Sequence, residues 1–327
     1  MRFILRRLGF FILTLWAAVT LNFFLPRLMP GNPALAMMAK FRGPVNPSAL
    51  KALEVAFGVK THQSLISQYF GYLGDISTGK FGTSLYFYPE SVGRVILDAI
   101  PWTLGLVGVT TILAFVLGTG VGIVAAWRRG GIMDSILPPT FVITSAIPYF
   151  WIGLMLILIF SEKLGWFPSS NGYDVTRLPS FTGSFIGNVL WHAILPAAAL
   201  LITTIGTWVL TMRNTMVTTL AEDYIRMARA KGLPGRRIMF DYAARNAILP
   251  NLTGFAMSLG FVVGGAILVE YVFNYPGVGY MLLQAVDNED YPLMQALFLL
   301  ITLAVLVAIL ISDIATAVLD PRTRDAS

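Results

Sequence analysis

No cysteine occurs among the 327 residues, which excludes disulfides, thiolate metal sites and thiol nucleophiles together. Histidine is almost as scarce. The chain holds only His62 and His192, neither paired with a carboxylate at metal-ligand spacing, so no metal site is expected. No Gly-x-x-x-x-Gly-Lys-Ser/Thr string is present, and the chain therefore has no P-loop with which to cradle ATP. Charge is sparse as well: 12% of residues are charged, against about a quarter in soluble domains. No internal repeat at fixed spacing and no low-complexity segment is visible.

What the chain has in quantity is apolar residues, 56% of the total, with a mean hydropathy of +0.72. Six runs are long enough to cross about 30 Å of hydrocarbon as helices: 8–25, 102–126, 136–160, 194–212, 252–272 and 293–319. Strands of a membrane barrel would alternate in polarity over about ten residues, and none of these runs does. The predicted fold is all-α, a polytopic membrane protein with six transmembrane helices in a single domain, 1–327. The first run follows Arg2, Arg6 and Arg7 and is longer than a usual signal core, so it is expected to be retained as a span.

Basic residues set the orientation. Arg2, Arg6 and Arg7 precede the first run, and Arg128 and Arg129 follow the second. Arg213, Arg226, Arg229, Lys231, Arg236, Arg237 and Arg245 lie between the fourth and fifth, and Arg322 and Arg324 close the chain. With six alternating spans all of these fall on one side, which places both termini in the cytoplasm. The short segment after the fifth run has no Lys or Arg and carries Asp287, Glu289 and Asp290. The net charge of +6 is thus divided among membrane flanks and marks topology, not a nucleic-acid surface.

Two segments are then external. Residues 26–101 contain the turn cluster Pro30-Gly31-Asn32-Pro33 and a mixed polar stretch, expected to form a small ordered cap because a linker of that length between spans is unusual. Residues 161–191 carry Trp166, Phe167 and Trp191, which suit an aromatic belt at the interface or contact with an external partner.

Inside the spans, motif-like strings read as packing. Gly120-x-Gly122-x-x-Ala125 matches a dinucleotide fingerprint in letters only, since no strand precedes it. Gly118-x-x-x-Gly122 and Gly260-x-x-x-Gly264 are predicted to let helix backbones approach closely. Ala256-x-Ser258-x-Gly260 has no buried base near it in sequence, so a hydrolase is not supported. Glu270 and Asp313 are the carboxylates within or near apolar runs. A carboxylate in hydrocarbon is costly without water or a partner, which makes both functional candidates, with solvation at the interface as the plainer alternative.

The most informative segment is 213–250, a charged stretch between two apolar runs. Thr219-Leu220-Ala221-Glu222 fits a capping box. Tyr224, Ile225, Met227 and Ala228 form an apolar stripe beside Arg226 and Arg229, and Gly232 followed by Pro234 is a helix stop. A short helix is predicted there, held outside the membrane to touch something. The string Asp223-Tyr224-Ile225-Arg226-x-Ala228-Arg229-Ala230-Lys231-Gly232, followed by Arg245-Asn246-Ala247 and Leu249-Pro250, resembles the coupling loop of permease subunits of binding-protein-dependent ABC importers, in the dipeptide/oligopeptide/nickel group. Arg226, Met227 and Ala228 stand where the broad superfamily has Glu-Ala-Ala, a departure that the peptide group shares. Further strings carry the resemblance along nearly the whole chain. They are Gly74-Asp75, Phe81-Gly82-Thr83-Ser84, Pro89, Ile100-Pro101-x-Thr103-Leu104, Val269-Glu270-x-Val272-Phe273-x-x-Pro276-Gly277-x-Gly279, and Asp313 with Asp320-Pro321-Arg322.

The resemblance implies a type I ABC importer permease fold in a bacterial or archaeal cell membrane. It also implies a second homologous permease subunit, two cytoplasmic ATPase subunits that bind ATP and magnesium, and an external substrate-binding protein. This chain would itself be no enzyme and hold no cofactor. Glu222, Asp223, Tyr224, Ile225, Arg226, Met227, Ala228, Arg229, Ala230, Lys231 and Gly232 would contact the ATPase, while Glu270, Pro276, Gly277 and Asp313 would belong to the gate or pathway. Peptides are the expected cargo, with cello-oligosaccharides as the alternative and an ion-gradient-driven transporter as the competing class.

Overall fold

The structure, a computed structural model, describes residues 2–28 and 64–319. Among these, secondary structure is helical apart from one antiparallel bridge between Thr83 and Ser91. The helices are α1 (Arg2–Leu28), α2 (Leu65–Ser77), α3 (Val92–Trp127), α4 (Ile132–Ala146) and α5 (Tyr149–Lys163). They continue with α6 (Gly183–Leu220), α7 (Asp223–Ala230), α8 (235–247), α9 (Leu249–Val262) and α10 (Ile267–Val272). Helices α11 (Val278–Asp287) and α12 (Tyr291–Leu319) complete the described chain. The turn at Pro30 to Pro33, His62, Asp320-Pro321-Arg322 and Arg324 lie outside the described residues. Asp313 falls within α12, and its side chain also lies outside them.

By length and composition α1, α3, α6 and α12 can each cross a membrane, giving four spans, or five if α4 and α5 count as one bent span. The run 136–160 is therefore not a straight helix: α4 and α5 meet at 92°. Ile147 is extended there (φ −83°, ψ 128°), because the ring of Pro148 disfavours helical backbone in the preceding residue and Pro148 has no N–H to continue the ladder. The run 252–272 is also divided, into α9 and α10. Gly265 between them has φ +69°, a left-handed conformation that glycine adopts freely. Helix α3 begins well before its apolar run, at Val92, where Ser91 Oγ accepts the Arg94 N–H at 3.4 Å. It contains Pro101 and a π-helical turn at Leu104–Gly108.

Helices α3 and α6 form the spine. A Cβ on Gly118 would stand 2.6 Å from Trp208 Cβ, and one on Gly122 would stand 2.7 Å from the Val209 carbonyl oxygen. The two backbones thus touch, as small residues at helix spacing allow. Gly120 has nothing near its Cβ position. Gly260 lies directly against Ala308 of α12 and so packs helix on helix as predicted, whereas Gly264 lies in the turn after α9, against Ile301. Ser258 only returns its hydroxyl to the Phe255 carbonyl, at 2.8 Å.

At the other end of the spine, α2 sits on α1. Phe23 packs against the rings of Tyr69 and Tyr72, and Thr20 Oγ1 and Tyr69 Oη share a hydrogen bond of 2.7 Å. The segment after α2 is pinned by the buried Asp290 at the start of α12, which accepts hydrogen bonds from the Ser84 hydroxyl and from the Tyr86 N–H.

Candidate functional site

The charged segment between α6 and α9 forms a compact projection. Helix α6 does not end where its apolar run ends; it continues to Leu220, 38 residues in all, about 57 Å at 1.5 Å per residue. The predicted capping box is therefore absent. Thr219 is still inside α6, and its hydroxyl donates to the Thr215 carbonyl at 2.8 Å. Glu222 occupies the N-cap position of α7 with extended backbone and makes no side-chain cap hydrogen bond. Extension of α6 consumed the residues that would have capped a shorter helix.

The apolar stripe also divides. Ile225 and Ala228, three apart on one ridge, are buried against Met212 and Met216 of α6 and Ile238, Ala243, Ala244 and Ala247 of α8. Tyr224 and Met227 form the adjacent ridge and are 39% and 59% exposed. A two-turn helix buries one ridge of i, i+3 neighbours, and the second faces out with Glu222, Asp223, Arg226, Arg229, Ala230 and Lys231. Tyr224 is nonetheless fixed, because Asn246 of α8 donates to its hydroxyl oxygen at 3.1 Å and to the Tyr242 carbonyl at 2.9 Å. The stop at Gly232 is as predicted. Gly232 has φ +73°, the Leu233 N–H reaches the Ala228 carbonyl at 3.3 Å, and the Gly232 N–H reaches Arg229 at 2.9 Å. That pairing is a Schellman motif. Nothing lies within 4 Å of a Cβ on Gly232, so the constraint there is the backbone conformation and not crowding.

The second candidate, Glu270, is in a different environment from the interfacial one its position near the end of a run suggested. Its side chain is fully buried, 0% exposed. Oε1 accepts the Thr103 hydroxyl at 2.8 Å, and Oε2 accepts the N–H groups of Gly279 at 2.7 Å and Tyr280 at 3.2 Å. Those amides are free donors of the first turn of α11, so Glu270 caps a helix that starts eight residues later in sequence. A Cβ on Gly277 would collide with the Glu270 carboxylate and the Thr103 hydroxyl, and one on Gly279 would stand 2.7 Å from Ile267 Cα. Pro276 and Gly277 thus deliver the chain into α11, not straight back into α12. Facing passing cargo is incompatible with this burial, whereas pairing on its own chain is what the geometry contains.

The loop before α6 closes over this knot. Trp102 stacks on Tyr173 at 5.5 Å, and Gly172 fits against Trp102 and Pro276. Phe167 and Trp191 meet at 4.6 Å. In the same loop the N–H and then the hydroxyl of Thr176 hold the Asp174 carboxyl below the usual carboxylate range.

Sequence reasoning missed three polar links: Thr103 to Glu270, Asp134 to Arg213, and Asn251. Asn251 is buried at the start of α9 and donates to Thr119 Oγ1 and to the Trp208 carbonyl, both at 3.1 Å, which joins α9 to α3 and α6. Each partner lies far away in sequence, so no local pattern could have signalled the pairing. Among the described residues no group of His, Cys, Asp or Glu could hold a metal ion.

Residues 118–325 match the family described as binding-protein-dependent transport system inner membrane component. The chain is 35% identical to the di/tripeptide transport system permease protein DppB of Pseudomonas aeruginosa, with 98% of each chain covered. It is 33% identical to the dipeptide transport system permease protein DppB of Lactococcus lactis, over 99% of each. Identity to the oligopeptide transport system permease protein AppB of Bacillus subtilis is also 33%, over 98% of each.

Proposed function

The chain belongs to the family of binding-protein-dependent transport system inner membrane components, and from that premise we propose that it is one permease subunit of an ATP-driven importer of dipeptides or oligopeptides. The names of its relatives favour peptides over oligosaccharides. Its partners in this reading are a second permease, two ATPases that carry ATP and magnesium, and an external protein that delivers cargo. The segment 213–250, like both termini, lies in the cytoplasm.

One observation carries the mechanism. Helix α7 has an inner ridge, Ile225 and Ala228, locked into the protein, and an outer face of Tyr224, Met227, Arg226 and Arg229 that is open. An apolar pair flanked by cations on a short preformed helix suits a groove on a partner. Because the inner ridge is packed against α6 and α8, a pull on α7 is carried into α6 and α9 as a rigid displacement. Closure of the ATPases on ATP would then open the pathway outward, and hydrolysis would reverse it. Glu270, Pro276 and Gly277 act in this scheme as the fixed scaffold of the outer gate. Asp313, near the end of α12, remains the candidate at the inner side.

The test is reconstitution of the four membrane and ATPase subunits in proteoliposomes with the external protein. Uptake of labelled peptide that requires ATP, and stops when Tyr224 and Met227 are both replaced by Glu, is the expected result. Peptide uptake driven by an ion gradient without ATP would overturn the reading.

A further inference from the structure

Arg213 and Asp134 form an ion pair unlike the others described. Arg213 Nη2 and Nε reach Asp134 Oδ1 at 2.5 and 2.6 Å, Oδ2 accepts the Gly130 N–H at 3.0 Å, and Arg213 Nη1 donates to Asn214 Oδ1 at 3.1 Å. The side chains of Arg213 and Asp134 are 21% and 11% exposed. The pairs Arg94–Glu90, Arg177–Asp174, Arg226–Asp223 and Arg237–Asp241 each join residues three or four apart, and all of their side chains are at least 41% exposed. Those are surface pairs of small effect. Arg213–Asp134 is a tertiary link, and loss of one member would leave a partly desolvated charge unpaired.

Its position gives the link a task. Helix α4 has no fully buried residue, and Leu137, Pro138 and Phe141 are half-buried, so its apolar packing is partial. Two of the contacts that hold it to α6 are polar or close-packed. At one, Gly206 of α6 fits against Phe141 and Ser145, with the Ser145 hydroxyl on the Thr203 carbonyl at 3.3 Å. At the other, Asp134 in the first turn of α4 meets Arg213. Arg213 also lies where α3 touches α6, since a Cβ on Gly122 would stand 3.2 Å from the Arg213 backbone nitrogen. From Arg213 the helix runs unbroken to Leu220, and α7 follows after two residues.

We propose that Arg213 is a positioning residue that makes α4 travel with α6. The pair stays closed through the transport cycle, α3, α4 and α6 move as one unit when α7 is displaced, and the displacement is delivered to the bend at Ile147 and Pro148. Without the pair, α6 would move while the near end of α4 lagged, and the motion would be lost before it reached the bend. This rests on the importer reading above.

The chain has no cysteine, so the pair can be replaced by a removable covalent link. In the full reconstituted complex, Asp134→Cys and Arg213→Cys are introduced together and joined by a short bifunctional methanethiosulfonate, with the parent treated in parallel. Before linking, uptake is expected to fall roughly tenfold while ATP hydrolysis continues, within the range of site-to-site coupling effects. Linking is expected to restore uptake, and reduction to remove it again. The comparison is made on one folded protein before and after linking, so misfolding does not enter. Unimpaired uptake by the unlinked variant would overturn the proposal, as would a link that blocks uptake or fails to restore it. Failure of the parent complex to take up peptide would instead count against the importer reading itself.

Discussion

Thr103 and Glu270 are 167 residues apart in sequence, yet the Thr103 hydroxyl donates to Glu270 Oε1 at 2.8 Å while its oxygen accepts the Val278 N–H at 2.7 Å. One hydroxyl thus ties α3 to the end of α10 and to the start of α11. With the two amides on Oε2, the carboxylate accepts three hydrogen bonds from within the chain. The knot is a brace at the end of the divided fifth run, where α10 leads into α11.

Substitution at Glu270 should therefore be graded by hydrogen bonding. In Glu270→Gln the remaining oxygen can still accept from Gly279 and Tyr280, but the amide must face Thr103, a loss of about 1 kcal/mol. Glu270→Leu strands two amides and one hydroxyl at about 1–3 kcal/mol each. Reduced uptake with normal assembly is expected for the first, and a lowered Tm and membrane level for the second. Both variants transporting and melting like the parent would remove the brace.

Gly277→Ala should resemble Glu270→Leu more than a neutral change. Its Cβ would collide with the Glu270 carboxylate and the Thr103 hydroxyl, and overpacking of a tight site costs about 1–3 kcal/mol. Gly120→Ala, where nothing lies nearby, is the control and should leave the melting temperature unchanged.

At Gly232 the left-handed backbone predicts a rank order. Gly232→Asn should be best tolerated and Gly232→Val worst, because a side chain in this conformation costs about 1–2 kcal/mol and least for Asn. Gly232→Asp also places a carboxylate at the negative end of α7. That variant is expected to remain in the membrane and hydrolyse ATP while uptake falls. Uptake equal to the parent's would show that the Schellman turn has no part in coupling.

Reporter fusions test the orientation. A fusion after Arg324 should be active only for a reporter that works in the cytoplasm, and one at Gly172 only for a reporter that works outside. Two active cytoplasmic fusions would overturn the six-span arrangement.

The long helices and the projecting loop were legible because their signals are local. Apolar runs of span length, Gly118 with Gly122, and Gly232 before Pro234 each act through neighbours within a turn or two. The bend at Pro148 was legible in principle, since a proline and its restricted predecessor are adjacent, but hydropathy averaged over a window hides a single break. The capping box at Thr219 misled for the opposite reason. A local pattern was present, and a longer helix packed along α3 claimed its residues.

By itself, then, the sequence determined an all-α membrane protein, the place of its short charged helix and the conformation of that helix's last turn, because solvent transfer and backbone sterics act residue by residue. Only the tertiary structure decided that Glu270 is a brace and not a surface carboxylate, that Asp134 meets Arg213, and which ridge of α7 faces out. A charge or an amide in a dry interior must find a partner wherever the fold brings one, and that partner's distance along the chain is set by packing and not by sequence.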